Sequence, residues 1–112
     1  MEVRAIAKNT GVSARKMRPL VNIVRGKKVD EALTILKFAP SPNAGIVAKV
    51  IKTAAASAEN NYQMPASNLR VVSIFADEAQ TLKRYRAGAR RRVSPILKRS
   101  SHITVIVDEE EG

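Results

Sequence analysis

This chain has no cysteine and a single histidine, His102. The first absence excludes a disulfide framework, a thiolate metal cluster and a cysteine nucleophile; the second leaves no His-rich metal site. No apolar run approaches the roughly 18 residues that a membrane span needs, so no membrane partner is expected. No charged-then-apolar leader is read either, because Met1-Glu2-Val3-Arg4 runs straight into a structured pattern, and nothing marks the chain for export. No nucleophile–base pair, phosphate-cradling glycine loop or metal triad can be assembled. The expectation is therefore no catalytic residue, no metal, no cofactor and no enzyme. Acidic residues are also missing from one long stretch: none lies between Glu78 and Asp108.

What is present is positive charge on a globular composition. A length of 112 residues fits one domain, and 45% hydrophobic residues is close to the globular average. Lysine and arginine number 20 against 10 acids, a net charge of +10. Four of those acids, Asp108 to Glu111, sit in the last five residues, so the remainder carries 20 cations against 6 acids. Between positions 83 and 99 stand eight cations: Lys83, Arg84, Arg86, Arg90, Arg91, Arg92, Lys98 and Arg99. A solvated surface normally mixes signs, because like charges at close spacing repel. An unmixed block becomes favourable when phosphates lie between the cations and counterions are released. A polyanionic partner is the reading this pattern supports.

Periodicity divides the chain into a body and an arm. Residues 3–8 alternate weakly, as a short strand. Ser13 can then N-cap a helix, in which Met17, Leu20, Val21 and Val24 form one apolar stripe, with Arg15, Arg18 and Arg25 on the opposite side and Gly26 as its stop. Pro19 either kinks this helix or marks its start. A second helix is expected over residues 29–38, on a stripe of Val29, Ala32, Leu33 and Leu36. A third opens at Ser41-Pro42, as cap and first helical residue, and runs to about Asn60. Its stripe is Val47, Ile51, Ala54, Ala55 and Ala58. Residues 69–76 read as a strand buried on both faces, and Ile103, Val105 and Val107 alternate with His102, Thr104 and Ile106 in a last strand.

Twenty-five residues, 77–101, join those two strands, far beyond a usual hairpin loop of roughly 2–5. They lack an apolar stripe. The simplest geometry continues both strands outward and turns around Gly88 to Arg91, with arms on the order of 30 Å long at about 3.3 Å per residue. The expected organisation is one domain over 1–112, with a compact body (1–76 and 102–107), an extended hairpin (77–101) and an acidic tail (108–112).

Several blocks match a known pattern. Ser13-Ala14-Arg15-Lys16-Met17-Arg18 with Gly26-Lys27, then Lys49 with Ala54-Ala55-Ala56-Ser57-Ala58 and Asn60-Asn61, then Asp77-Glu78 and Leu82-Lys83-Arg84, occur in order. The most specific block is Leu97-Lys98-Arg99-Ser100-Ser101-His102-Ile103-Thr104-Val105. Together they cover nearly the whole chain, which resembles the bacterial-type family of large-ribosomal-subunit protein number twenty-two, the exit-tunnel hairpin protein. The chain departs from the family pattern at Ala14, at Pro19 and in the tip, where the glycine stands at Gly88.

The resemblance implies an α+β domain, three helices packed on a small three-stranded antiparallel sheet, with a long projecting β-hairpin. It implies a structural constituent of the large subunit that binds large-subunit ribosomal RNA, assists its assembly and lines the nascent-peptide tunnel. Lys83 to Arg92 would be the tunnel arm, and Ala87, Gly88, Ala89, Arg90, Arg91 and Arg92 its tip. Neighbouring large-subunit proteins and the nascent peptide would be its partners, in a ribosome of the cytoplasm or of an organelle, with no homo-oligomer expected.

Candidate RNA-binding residues are Arg15, Lys16, Arg18, Arg25 and Lys27 around the first helix. On the arm they are Lys83, Arg84, Tyr85, Arg86, Arg90, Arg91, Arg92, Lys98 and Arg99. The helix cations could simply solubilise a helix, but they have no acidic partners and match the family block. Tyr85 could stack on a base or cover the apolar foot of the ribbon. Phe38, Tyr62 and Phe75 read as core or core edge, and His102 as structural. Adjacent Asp77 and Glu78 point to opposite faces of a strand, which suits them poorly to shared acid–base work. A basic DNA-binding regulator using the first two helices is the alternative; against it, the most basic element lies outside that pair.

Overall fold

The structure, a computed structural model, describes the backbone of residues 2–65, 68–80, 82–87 and 93–109, and the side chains of those outside 82–98. Five strands and three helices follow in the order β1 (Val3–Ala7), α1 (Ala14–Val24), α2 (Val29–Lys37), α3 (Ala44–Tyr62), β2 (Leu69–Glu78), β3 (Leu82–Ala87), β4 (Val93–Lys98) and β5 (Ser101–Glu109). The fold is α+β, as the sequence pattern implies. β5 lies at the centre of a three-stranded antiparallel sheet, flanked by β1 and β2. Its alternation explains that place: Ile103, Val105 and Val107 are fully buried under the helices. α1 packs on β2, α3 on β5 and β1, and α2 on α3.

The helical stripes fall where the 3.6-residue period puts them. Met17, Leu20, Val21 and Val24 of α1 are buried, as are Val47, Ile51, Ala54 and Ala58 of α3, with Ala44 and Val50 added. Leu33 and Ala55 are only partly buried against that core. Pro19 lies inside α1, which runs through it from Ala14, so the helix does not begin there. Ser13 occupies the N-cap without a side-chain cap bond; only its carbonyl accepts, from the N–H groups of Lys16 and Met17. α3 starts at Ala44, later than Ser41-Pro42 suggests, because Ser41 Oγ accepts the Asn43 N–H and forms a turn first. It ends past Asn60, at Tyr62, where left-handed Gln63 lets the Met64 N–H reach the Ala58 carbonyl and tucks Met64 into the core.

β2 is not buried on both faces. Its pairing with β5 shifts register between Val71 and Ser73, so Val72 is an extra residue. Before the bulge Leu69 and Val71 face the helices; after it Ile74 and Ala76 do. Helices cover one side of the sheet, and Phe75 on the other side is 38% exposed. Phe38 and Tyr62 are likewise not core, at 77% and 50% exposed. Phe38 stands at the C-cap of α2 with the Lys37 ammonium 5.9 Å from its ring centroid, and Tyr62 closes α3. β5 itself continues through Asp108 and Glu109, which pair with Arg70 and Leu69.

β3 and β4 form a separate two-stranded antiparallel ribbon, from Leu82↔Lys98 to Ala87↔Val93. It carries on from the β2–β5 ladder, whose last pair is Glu78↔Ser101, after the Ala79 N–H bonds the Ser100 carbonyl. One strand needs four steps and the other three to reach Leu82↔Lys98, so an extra residue enters at the ribbon's foot. The expected turn around Gly88 to Arg91 lies outside the described residues. The molecule measures 66 × 27 × 17 Å, with a radius of gyration of 17.2 Å. A compact chain of this length would have one of about 13 Å, so the ribbon projects from the body.

Candidate nucleic-acid interface

The body presents its cations on α1 and the turn after it. Burial of Met17, Leu20, Val21 and Val24 leaves Arg15, Lys16 and Arg18 exposed on the other side of the helix. Arg25 is different. It is the C-cap, extended at φ −63°, ψ 130°, and Gly26 follows at φ +79°. With the Lys27 N–H on the Val24 carbonyl these make a type II turn, which requires positive φ where Gly26 stands. The turn returns the Arg25 side chain to β2. Its Nε and Nη2 donate to the Ile74 carbonyl at 3.2 and 2.7 Å, and its Nη1 to Asn22 Oδ1 at 2.8 Å. Arg25 therefore does not lie opposite the α1 stripe with Arg15 and Arg18, because the helix has already ended.

The segment after Arg25 is stitched to the same strand. The Gly26 N–H donates to the Val71 carbonyl, the Val71 N–H to the Lys27 carbonyl, and Lys28 bridges Arg70. This short pairing covers the outer edge of β2 beside its bulge. It also ties the α1–α2 connection into the sheet, an arrangement unlike two helices joined by a free turn.

On the ribbon, Lys83, Arg84, Tyr85 and Arg86 of β3 pair with Leu97, Ile96, Pro95 and Ser94 of β4, and Lys98 pairs with Leu82. Ala87 is the last described residue of β3, opposite Val93; Gly88, Ala89, Arg90, Arg91 and Arg92 lie outside the described residues. Arg99 follows β4 and is exposed.

A polar network holds the ribbon's foot to the loop before α1. Ser101, fully buried, donates its hydroxyl to the Val12 carbonyl at 2.7 Å and shares a 2.8 Å hydrogen bond with the Thr10 hydroxyl. The Thr10 N–H donates to the Ser101 carbonyl, the Gly11 N–H to Ser100 Oγ, and the Asn9 N–H to His102 Nδ1 at 3.1 Å. The Ser100-Ser101-His102 block thus serves as a lock between segments some ninety positions apart. Thr10, Ser100 and Ser101 carry no charge and have no periodicity to single them out; membership of the matching block is the signal for Ser100 and Ser101, and Thr10 has none. The lock brings Arg15 and Arg99 to one cleft at the base of the ribbon, with Ser13, Glu78 and Ser100 in its walls. Among the described residues, Arg18 and Lys27 do not line it.

Among the described residues, no group of three or more His, Cys, Asp or Glu could hold a metal ion, and no helix is long and apolar enough to cross a membrane.

The family described as Ribosomal protein L22p/L17e matches residues 5–108, from β1 through the ribbon to the end of β5. This chain belongs to that family. It is 64% identical over 107 residues to "Large ribosomal subunit protein uL22" of Dehalococcoides mccartyi strain BAV1, covering 96% of this chain and 98% of that protein. It is 52% identical over 111 residues to the protein of the same name from Thermoanaerobacter sp. strain X514, covering 99% and 100%. Members of the L22p/L17e family are structural proteins of the ribosome, and this chain is not an enzyme.

Proposed function

We propose that this chain is a structural constituent of a bacterial-type large ribosomal subunit, that it binds the large-subunit ribosomal RNA and assists its assembly, and that its ribbon lines the nascent-peptide exit tunnel. The observation that carries the reading is the separation of core and charge. Among the described residues the buried apolar side chains belong, Met64 apart, to the helices and the three-stranded sheet, while eight cations without one acid stand between positions 83 and 99. A two-stranded ribbon without a core of its own is marginal in water, and self-repulsion weakens it further. Phosphates packed between the cations reverse both effects. Neighbouring ribosomal proteins and the nascent peptide are the further partners in this reading, and the ribosome is its place in the cell.

The test is the salt dependence of binding to isolated large-subunit RNA. With a slope near −0.7 per neutralised phosphate, about eight contacts give roughly −6 on a log–log plot. A slope near zero overturns the phosphate-contact reading. Tighter binding to duplex DNA than to folded RNA at matched salt would return the DNA-regulator alternative.

A further inference from the structure

We propose that the cleft between the start of α1 and the foot of the ribbon receives one backbone phosphodiester of the bound RNA, clamped between Arg15 of α1 and Arg99 of the β4–β5 connection. The inference rests on the RNA-binding reading above and gives it one defined contact.

The cleft has a volume of about 290 Å³ and both arginines line it. At about 30 Å³ of liquid volume per water, that is space for roughly ten waters, enough for a phosphate group with its sugars outside. Both arginines are exposed, and neither pairs with an acid among the described residues. Glu78 lines the same cleft and bonds to neither. Two guanidinium groups against the single carboxylate of Glu78 leave this space with a net positive charge, and an anion between the arginines turns their mutual repulsion into two attractions. Their planar forks also suit phosphate oxygens.

The walls add neutral donors. The Ser13 hydroxyl makes no cap bond, and Ser100 Oγ uses an acceptor site on the Gly11 N–H, which leaves its own O–H to donate. The walls are fixed relative to one another. Ser100 and Ser101 are bonded to residues 10–12 on the α1 side, and the Ser100 carbonyl accepts the Ala79 N–H on the other. A clamp built this way is organised before the ligand arrives, so little ordering cost is added on binding. Position selects RNA as the source of the anion. One wall of the cleft is the start of α1, where Arg15, Lys16 and Arg18 are exposed, and the other is the foot of the ribbon, so an RNA strand bound by both elements passes over it.

The experiment measures affinity for a large-subunit RNA transcript over a range of salt. It compares the full-length chain with Arg15→Ala, Arg99→Ala, the double variant and Glu78→Gln, with a melting curve on each to show that the body is folded. A charge-assisted hydrogen bond makes each single arginine variant about 10-fold weaker or more. The double is then close to either single instead of about 100-fold weaker, because the second arginine has lost its shared ligand. The salt slope falls by about 0.7 in each single variant and no further in the double. Glu78→Gln binds about 2- to 5-fold more tightly, since a negative neighbour of the phosphate is gone.

Additive losses, with a slope change near 1.4 in the double variant, mean that the arginines touch separate phosphates, and the clamp is overturned. Unchanged affinity in both singles, while the parent chain binds, overturns the clamp and leaves the RNA reading standing. A parent chain that does not bind the transcript overturns both.

Discussion

The three-stranded sheet and the ribbon follow one another along the same two stretches of chain, yet they are held by different forces. In the sheet each β5 residue directed at the helices is fully buried, at Ile103, Val105 and Val107, and the strand has a neighbour on either side. Burial of that kind contributes roughly 1.5–3 kcal/mol per large side chain. The ribbon has one partner strand for each strand and belongs to a sheet of its own. The charge pattern follows the same division. The body mixes acids with its cations; positions 79–107, the ribbon among them, carry cations alone. Where a fold supplies its own stabilisation, sequence is spent on packing. Where a partner supplies it, sequence is free to match the partner.

The join between the two parts is the place to break this division, and Ser101 is its buried hub. Ser101→Ala removes the short bond to the Val12 carbonyl and the bond shared with the Thr10 hydroxyl, leaving that carbonyl only its longer 3.3 Å bond from Thr10. Losing two hydrogen bonds at about 0.5–1.5 kcal/mol each costs about 1–3 kcal/mol, which for a domain of this size lowers the melting temperature by on the order of 10 °C. A melting curve checks it. A change below about 2 °C would mean that the lock is ornamental and that the ribbon's foot needs no internal tether.

The body's stripes were readable because the helical period repeats and the buried residues are apolar at each repeat, as at Met17, Leu20, Val21 and Val24. The β2 bulge was not. Leu69 to Ala76 is apolar at most positions, so a one-residue slip at Val72 leaves no break in composition. The trace it leaves is two alternating pairs out of phase, Leu69 with Val71 and Ile74 with Ala76. Phe38, Tyr62 and Phe75 misled because hydrophobicity reports what a residue prefers: Phe75 lies on the uncovered side of the sheet, and Phe38 and Tyr62 stand at helix ends, past the buried stripes. At the candidate interface, the cations were legible one by one from the missing acids. The meeting of Arg15 with Arg99 was not, because it depends on a lock between residues 9–12 and 100–102.

Arg25 sharpens the comparison, since its charge suggests the interface and its bonds belong to the body. Arg25→Ala frees the Ile74 carbonyl beside the bulge and is expected to cost about 1 kcal/mol, a typical net hydrogen-bond contribution. Arg25→Lys restores only part of this, because a point donor cannot fork onto one carbonyl. The salt slope of RNA binding stays at the parent value in both variants. Denaturant titration gives the first quantity and binding across salt the second. A stable Arg25→Ala protein with a slope reduced by about 0.7 would move Arg25 to the interface.

The smallest effect on stability and the widest separation between the two parts come from shortening the ribbon. Arg84 and Ile96 are register partners, so an Asn-Gly turn between them can replace residues 85–95 and preserve the pairs Leu82↔Lys98 and Lys83↔Leu97. Among the described residues, the buried core and the Ser101 lock lie outside the deleted segment. The shortened chain should therefore unfold within about 0.5 kcal/mol of the parent, the range of changes that touch no packed feature. RNA binding should respond strongly, because four arginines leave with the segment: Arg86, Arg90, Arg91 and Arg92. At about 0.7 per contact the salt slope should flatten by roughly 3. Hydrogen exchange on the free parent chain supplies the complementary measurement, with ribbon amides exchanging far faster than those of α3 and β5. A shortened chain that loses cooperative melting, or a free ribbon protected as well as α3, would show that the ribbon is stabilised by the body. Its unmixed charge would then have to be balanced within the chain itself, and the argument from missing acids to a phosphate partner would lose its premise.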